Sequence, residues 1–129
     1  MVTRGIRGAT TIMNNTEQEI LDCTKRLLEE MITHNHVQPT DVSHVFISVT
    51  EEVDAVFPAK ALREFANWTY VPVMCMQEIP VQNSLPKCIR IMMVTHTNLE
   101  QHEIHHVFQN EAIQLRPDLV NKEDSHDSI

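Results

Sequence analysis

The chain has 129 residues, 42% of them hydrophobic, and its 10 basic and 18 acidic residues give a formal net charge of −8. This length fits one domain with a modest core, the acidic balance argues against nucleic-acid binding, and no apolar run approaches the length of a membrane span. The three cysteines show no C-x-x-C spacing and the N-terminus lacks a signal-peptide layout, so we expect reduced thiols and a cytoplasmic protein.

The first half of the chain predicts a strand, a long helix and a second strand. Residues 4–12 are predicted to form a strand, and they contain both glycines of the chain, which mark a bulge or a close backbone approach. Thr16 and Glu19 match a capping box, and apolar residues then recur at helical spacing to about residue 34. Residues 45–49 predict the second strand.

The second half predicts a short helix and three more strands. Proline at the first position favours a helix over residues 58–65, because its missing N–H is harmless there. Residues 70–76, 87–95 and 107–115 predict strands, and residues 102–106 a short helical turn.

These elements predict an α+β single domain: a mixed sheet of about five strands with one long and one or two short helices. The domain is predicted to span residues 1–119, with a mobile polar tail over 120–129. One long helix covers one face of such a sheet, yet the strands are apolar on both sides. We therefore expect a homo-oligomer in which the sheets of neighbouring subunits pack together.

Arg90 lies in an apolar strand and needs a partner for its charge. Strand alternation places it on one face with Cys88, Met92 and Val94. An unpaired buried guanidinium costs several kcal/mol. Its partner is either Glu78, in an internal ion pair, or an anionic ligand, and the pattern alone leaves both open.

Other cations also lie in apolar or turn contexts. Arg7, Lys60, Arg63 and Arg116 cannot all be neutralised by Glu78. A di-anionic ligand would account for this surplus, because arginine binds carboxylates through two parallel hydrogen bonds. Taken singly, Arg7 could equally be a surface turn residue, and Lys60 with Arg63 a solvated helix face.

Cys75 and the histidines are weaker candidates for chemistry. No base neighbours Cys75 in the sequence, which favours a polar contact or a core filler over a nucleophile. The string from His102 to His106 is not the H-E-x-x-H zinc motif, so we predict no metal site.

Five segments in order resemble the monofunctional AroH-type chorismate mutases, and the resemblance runs from residue 1 to about residue 119. They are RGIRGATT from residue 4, AVFPAKALRE from residue 55, YVPVMCMQE from residue 70, KCIRIMM from residue 87 and LRPDL from residue 115. The resemblance implies a homotrimer with active sites between subunits, which converts chorismate to prephenate on the route to phenylalanine and tyrosine. It implies a Claisen rearrangement that uses no metal and no organic cofactor.

The resemblance also implies roles for particular residues. Arg90 would stabilise the charge that grows on the ether oxygen, and Glu78 would accept a hydrogen bond from the ring hydroxyl. The implied substrate-binding residues are Arg7, Phe57, Lys60, Arg63, Val73, Met74, Cys75, Phe108, Leu115 and Arg116.

Two positions depart from the pattern of the family. Phe108 stands where members carry a tyrosine whose hydroxyl contacts a substrate carboxylate, so binding is expected to weaken while the rearrangement survives. Met74 stands where threonine is familiar, and it could alter the pocket or fill a subunit contact. The alternatives are a non-catalytic trimeric binding module for small dicarboxylates and a structural oligomer with buried ion pairs.

Overall fold

A computed structural model describes residues 1–116 and 118, so the tail predicted for residues 120–129 lies outside the described residues. The strands are β1 (Val2–Thr11), β2 (Val42–Val49), β3 (Val73–Gln77), β4 (Cys88–Thr97) and β5 (Val107–Phe108). Helix α1 spans Glu17–His34. Four 3-10 helices span Pro39–Asp41, Pro58–Glu64, Gln101–Glu103 and Asn110–Leu115 in the same described part of the chain.

Helix α1 begins and ends where the sequence predicts. The Glu19 backbone N–H donates to Thr16 Oγ1 (3.2 Å), which caps the first turn. The reciprocal bond of a capping box is displaced, because the Glu19 carboxylate accepts from the backbone N–H groups of Met13 and Asn14. The Glu19 carboxylate therefore holds the turn at Met13 and Asn14 against the first turn of the helix.

The five strands form one mixed sheet in the order β3-β2-β4-β1-β5. Strand β4 is central and pairs antiparallel with β1 and β2, while the edge strands β3 and β5 run parallel to β2 and β1. The prediction of a single-domain mixed sheet with one long helix is confirmed.

The core lies between the sheet and α1. It includes fully buried residues of the helix, Ile20, Leu27, Leu28 and Met31, and of the strands, Ile6, Val45, Ile47, Ile89 and Met93. Each such side chain contributes about 1.5–3 kcal/mol of transfer free energy. The close backbone approach predicted for the glycines is to the helix at Gly8, where an added Cβ would lie 2.3 Å from Met31 Sδ.

The opposite side of the sheet is an exposed apolar surface, which we call the open face. Phe46, Met74, Met76 and Met92 lie on it and are 40%, 62%, 41% and 37% exposed in the single chain. Exposed apolar surface of this kind marks an interaction site. It is the uncovered sheet face that the sequence predicts.

The prediction of a strand over residues 107–115 is wrong beyond Phe108. The Gln109 N–H still donates to Ala9 O (2.9 Å), but Asn110 adopts a left-handed φ of 54°. Its side-chain amide donates to Thr11 O (2.9 Å) and Thr10 Oγ1 (3.1 Å) of β1. These bonds turn the chain into a 3-10 helix, so tertiary hydrogen bonds override the strand pattern.

The structure also contains more short helices than the one or two that the sequence predicts, because four 3-10 helices are present in the described residues. The residues 58–65 segment is a 3-10 helix rather than an α-helix, with Pro58 at its start. Its tighter winding places residues three apart directly above one another. Lys60 and Arg63 therefore share one face, as the sequence predicts.

Candidate active site

Arg90 and Glu78 face each other beside the open face but do not form a hydrogen bond. Arg90 Nε lies 3.6 Å from Glu78 Oε2, and the two side chains are 36% and 30% exposed. This separation exceeds the range of an N–H···O bond. Arg90 Nε is buried and has no hydrogen-bond partner among the described residues. The pair is therefore a loose ion pair, and the Arg90 Nε donor is left unpaired within the described residues.

Ser48 holds the carboxylate of Glu78. Its hydroxyl donates to Glu78 Oε2 (2.7 Å), and Ser48 is the cross-strand neighbour of Arg90 in the β2–β4 ladder. The Glu78 backbone N–H donates to Val49 O (2.8 Å), which fixes the residue at the end of β3. Within residues 1–116 and 118, the carboxylate receives side-chain hydrogen bonds only at Oε2, which leaves Oε1 for a ligand.

Arg7 lies on β1, two strands away from Ser48, with its side chain on the same face as Arg90. It pairs with Met92 in the ladder, and its guanidinium carbon lies 5.7 Å from the centroid of the Phe108 ring. Burial lowers the pKa of Arg7, and the positive charges of Arg90 and Arg116 add to this effect. The structure thus gathers several cations at one place, where an anion would relieve their repulsion.

Phe108, Leu115 and Arg116 lie at the β5 end of this region. Phe108 is buried with Ala9 and Cys88 in a small second core, and Leu115 packs against it. The Arg116 guanidinium donates to both carboxylate oxygens of Asp118 (3.1 and 3.0 Å), and these bonds raise its pKa. Phe108 and Arg116 therefore border Arg7: its guanidinium lies over the Phe108 ring, and the charge of Arg116 helps to lower its pKa.

Arg7 and Arg90 line a cleft of about 410 Å³, which we call the arginine cleft, whereas Phe108, Leu115 and Arg116 are not among its lining residues. Its lining includes Arg7, Ser48, Glu78 and Arg90 as polar groups and Phe46 and Met92 as apolar walls. Two guanidinium groups and one carboxylate acceptor suit a small dianion that also carries a hydroxyl. Such fixed charges can stabilise a charge distribution without transferring a proton.

A second group of predicted site residues lines another cleft at the β3 edge, which we call the edge cleft. Its volume is about 320 Å³, and its lining includes Phe57, Lys60, Arg63, Val73 and Cys75. Lys60 Nζ donates to Glu17 Oε1 (2.9 Å) on an exposed surface. The group combines apolar walls with two cations, like the rim of a site for an anion.

Cys75 is a poor nucleophile in this setting. Burial raises the pKa of its thiol, and a hydrogen bond from the backbone of Ala59 only partly offsets this. The thiol therefore stays protonated near neutral pH. This agrees with the prediction of a polar contact or core filler.

The two clefts do not meet within one chain, because they lie on opposite faces of the sheet. Cys75 pairs with Ile47, which pairs with Ile91, so the side chains of all three point to the α1 side. Arg90 pairs with Ser48, so both point to the open face. Met74 belongs to neither cleft and lies exposed on the open face beside Phe46.

Sequence reasoning missed Ser48 and the surroundings of Cys88. Ser48 becomes recognisable only when the strand register puts it next to Arg90. Burial raises the pKa of the Cys88 thiol, and the neighbouring Arg90 guanidinium partly opposes this shift. No local motif marks either contact.

Among residues 1–116 and 118, no group of three His, Cys, Asp or Glu side chains is arranged to hold a metal ion. In that same part of the chain, no helix combines the length and the apolar character needed to cross a membrane.

Comparisons with known proteins relate the chain to one enzyme family. The family model described as chorismate mutase type I matches residues 3–119. Chorismate mutase AroH of Bacillus subtilis (strain 168) is 53% identical over 119 residues, covering 92% of this chain and 94% of that protein. The AroH enzyme of Thermus thermophilus is 38% identical over 119 residues, covering 92% and 97%. A solved chorismate mutase from Clostridium thermocellum superposes with a TM-score of 0.81 at 44% identity, covering 84% of this chain and 96% of that one.

Proposed function

The chain belongs to the chorismate mutase type I family and is a chorismate mutase, and from this premise we propose that the arginine cleft carries its chemistry. The enzyme rearranges chorismate to prephenate, a step on the route to phenylalanine and tyrosine. Within one substrate molecule the ether C–O bond breaks while a new C–C bond forms. No second reactant is needed, because the bond that breaks and the bond that forms belong to the same molecule.

Arg90 is the residue to which we assign the main catalytic role. As the ether bond stretches, negative charge grows on its oxygen, and a fixed guanidinium stabilises that state more than the ground state. The observation that carries this assignment is the buried Arg90 Nε, which lies 3.6 Å from Glu78 Oε2 and makes no hydrogen bond within the described residues. A donor held in place but unused is suited to charge that appears only during the reaction.

Glu78 and Arg7 orient the substrate in this proposal. Ser48 engages Glu78 Oε2 (2.7 Å), so Oε1 accepts the hydrogen bond of the ring hydroxyl. Arg7, supported by the Phe108 ring, binds a substrate carboxylate. Leu115 and Arg116 close the end of the cleft beside Phe108. A folded substrate held by such contacts gains rate through orientation as well as through charge.

The active site in this proposal is shared between subunits of a homotrimer. Phe57, Lys60, Arg63, Val73 and Cys75 line the edge cleft, which cannot reach the arginine cleft of the same chain because the sheet separates them. Docking the edge cleft of one copy on the arginine cleft of the next would unite both groups. The exposed side chains of the open face, Phe46, Met74, Met76 and Met92, would supply the apolar contact, with Met74 near the junction.

We place the catalytic domain at residues 1–119, in line with the family match over 3–119. All three cysteines are free thiols, which suits the reducing cytoplasm. A non-catalytic module that only binds dicarboxylates is not supported, since the named relatives are chorismate mutases.

The test of the Arg90 assignment follows the ultraviolet absorbance of chorismate as it is consumed. Replacing Arg90 by Ala is expected to lower kcat by about 10²- to 10³-fold, while KM changes far less, because the lost interaction belongs to the transition state. The control is Arg26→Ala, which removes an exposed arginine that contacts Asn110 outside the cleft. Turnover by Arg90→Ala at the parent rate would show that the assignment is wrong.

A further inference from the structure

The backbone of Arg7 is held by a histidine ring. The Arg7 N–H donates to His106 Nδ1 (2.9 Å), although the two residues are 99 positions apart in sequence. Strand β5 pairs with β1 only at Gly8 and Ala9. The imidazole therefore continues the hydrogen bonding of β1 by one residue, at a point where β5 has not yet begun.

The residue before His106 is held by Asn35, the C-cap of helix α1. The side chain of Asn35, 3% exposed, accepts from the His105 N–H (2.8 Å) and donates to His105 O (2.9 Å). It also donates to Met31 O (2.9 Å), so the amide binds the helix and the segment before β5 at once. The residue next to His106 is thus fixed at both its backbone polar groups.

The same short segment supports the guanidinium of Arg7. Phe108, two residues after His106, lies under that guanidinium at 5.7 Å, within the range of a cation–π contact. His106 therefore contacts the backbone of Arg7, and Phe108 contacts its guanidinium. Arg7 gains a defined position from both contacts.

We propose that His106 is a positioning residue for Arg7: its Nδ1 fixes the backbone from which the guanidinium reaches the substrate carboxylate. The inference rests on the proposed role of Arg7 in substrate binding. A carboxylate bound alike in the ground state and the transition state lowers KM and leaves kcat unchanged. Loosening Arg7 should therefore weaken binding without slowing the rearrangement.

Three substitutions at residue 106 distinguish positioning from general packing. Loss of the hydrogen bond in His106→Ala is expected to raise KM about three- to tenfold, with kcat within about twofold of the parent. His106→Asn places an acceptor oxygen at the position of Nδ1 and is expected to restore KM. His106→Gln places its amide at the position of Nε2 and is expected to resemble His106→Ala. Equal KM values for the Asn and Gln variants would overturn the proposal.

A double-variant cycle tests whether His106 acts through Arg7. Arg7→Ala alone is expected to raise KM, and adding His106→Ala should raise it little further, because residues that act through one group are not additive. Circular dichroism and the denaturant midpoint of each variant, at one protein concentration, establish that it is folded. Fully additive effects in folded variants would contradict positioning.

The outcomes separate this inference from the proposed function. If Arg7→Ala binds and turns over chorismate like the parent, the proposed role of Arg7 is wrong, and the His106 inference is wrong with it. If Arg7→Ala is impaired while His106→Ala has the parent KM, only the inference fails. Should His106→Ala not fold, the comparison of His106→Asn with His106→Gln decides.

Discussion

At the scale of single residues, the site consists of charges held in place before any substrate arrives. Ser48 fixes the carboxylate of Glu78, and Phe108 supports the guanidinium of Arg7. A reaction confined to one molecule needs this kind of fixed electrostatic environment, since no proton or group must be transferred to the protein. The high pKa of the Cys75 thiol fits the same chemistry, because a nucleophile has no part in it.

Phe108→Tyr is expected to tighten substrate binding. The family resemblance implies tyrosine at this position, and a hydroxyl beside Arg7 would add a hydrogen bond to the substrate carboxylate. Such a bond to a charged group is worth about 1.5–3 kcal/mol, so KM should fall about 10- to 100-fold with kcat little changed. Phe65→Tyr, beside Trp68 and outside the arginine cleft, is the matched control. An unchanged KM in a folded Phe108→Tyr enzyme would show that this hydroxyl has no such place here.

At the scale of secondary-structure elements, the contact between β1 and α1 depends on Gly8. A Cβ there would lie 2.3 Å from Met31 Sδ and 3.2 Å from Leu27 Cδ1, and both side chains are fully buried. Overpacking of this kind costs about 1–3 kcal/mol, so Gly8→Ala should lower the free energy of unfolding by that amount. The measurement is denaturant unfolding at one protein concentration.

The matched control for this prediction is Gly5→Ala on the other face of β1. A Cβ at Gly5 meets only Met92 Sδ, at 3.2 Å, and Met92 is 37% exposed in the single chain. Gly5→Ala should therefore lower the free energy of unfolding clearly less than Gly8→Ala does. An equal loss of stability at both positions would contradict the close packing of α1 on Gly8.

The turn before α1 should make stability depend on pH through Glu19. Hydrogen bonds from the Met13 backbone, and then from Asn14, lower the pKa of Glu19 below its ordinary value of 4.5. A lowered pKa in the folded state stabilises the fold above the unfolded pKa, and this contribution is lost as pH falls through the folded value.

Glu19→Gln is therefore expected to be less stable than the parent at pH 7. The difference should shrink as the pH falls below about 4.5, when the parent carboxylate becomes protonated as well. Glu29→Gln, on an exposed position of the same helix, is the control. A Glu19→Gln deficit that stays constant down to strongly acidic pH would contradict this role of the carboxylate.

The elements that could be predicted from the sequence are those determined by local signals. The Thr16 cap and the helical spacing suffice for α1, and alternation suffices to place Arg90 on one face of β4. Strand β5 could not be delimited, because Asn110 turns the chain through bonds to β1 that no local pattern encodes. The separation of Arg90 from Cys75 could not be seen either, because it depends on the register between strands.

At the scale of the whole molecule, one chain carries two separate clefts, which the proposed trimer would bring together. The arginine cleft holds Arg7, Glu78 and Arg90, and the edge cleft holds Lys60 and Arg63. Both halves are needed if substrate is bound between copies. The exposed apolar open face supports an assembly in which they meet.

Mixing two inactive variants tests this shared site most directly. Arg90→Ala damages the arginine cleft and Arg63→Glu the edge cleft, so each alone is expected to turn over chorismate poorly. Subunits unfolded together and refolded at equal amounts would combine at random in the proposed trimers. Averaged over trimers of all compositions, about a quarter of the interfaces would then join two intact clefts. The control mixture, Arg90→Ala with Arg7→Ala, damages only the arginine cleft and restores none.

The decisive measurement is therefore the rate of chorismate consumption by the refolded mixture of Arg90→Ala and Arg63→Glu. A shared site predicts recovery to about a quarter of the parent rate, with no recovery in the control mixture. A mixture no more active than its separate components, in trimers shown by mass to contain both variants, would contradict a site built from two subunits.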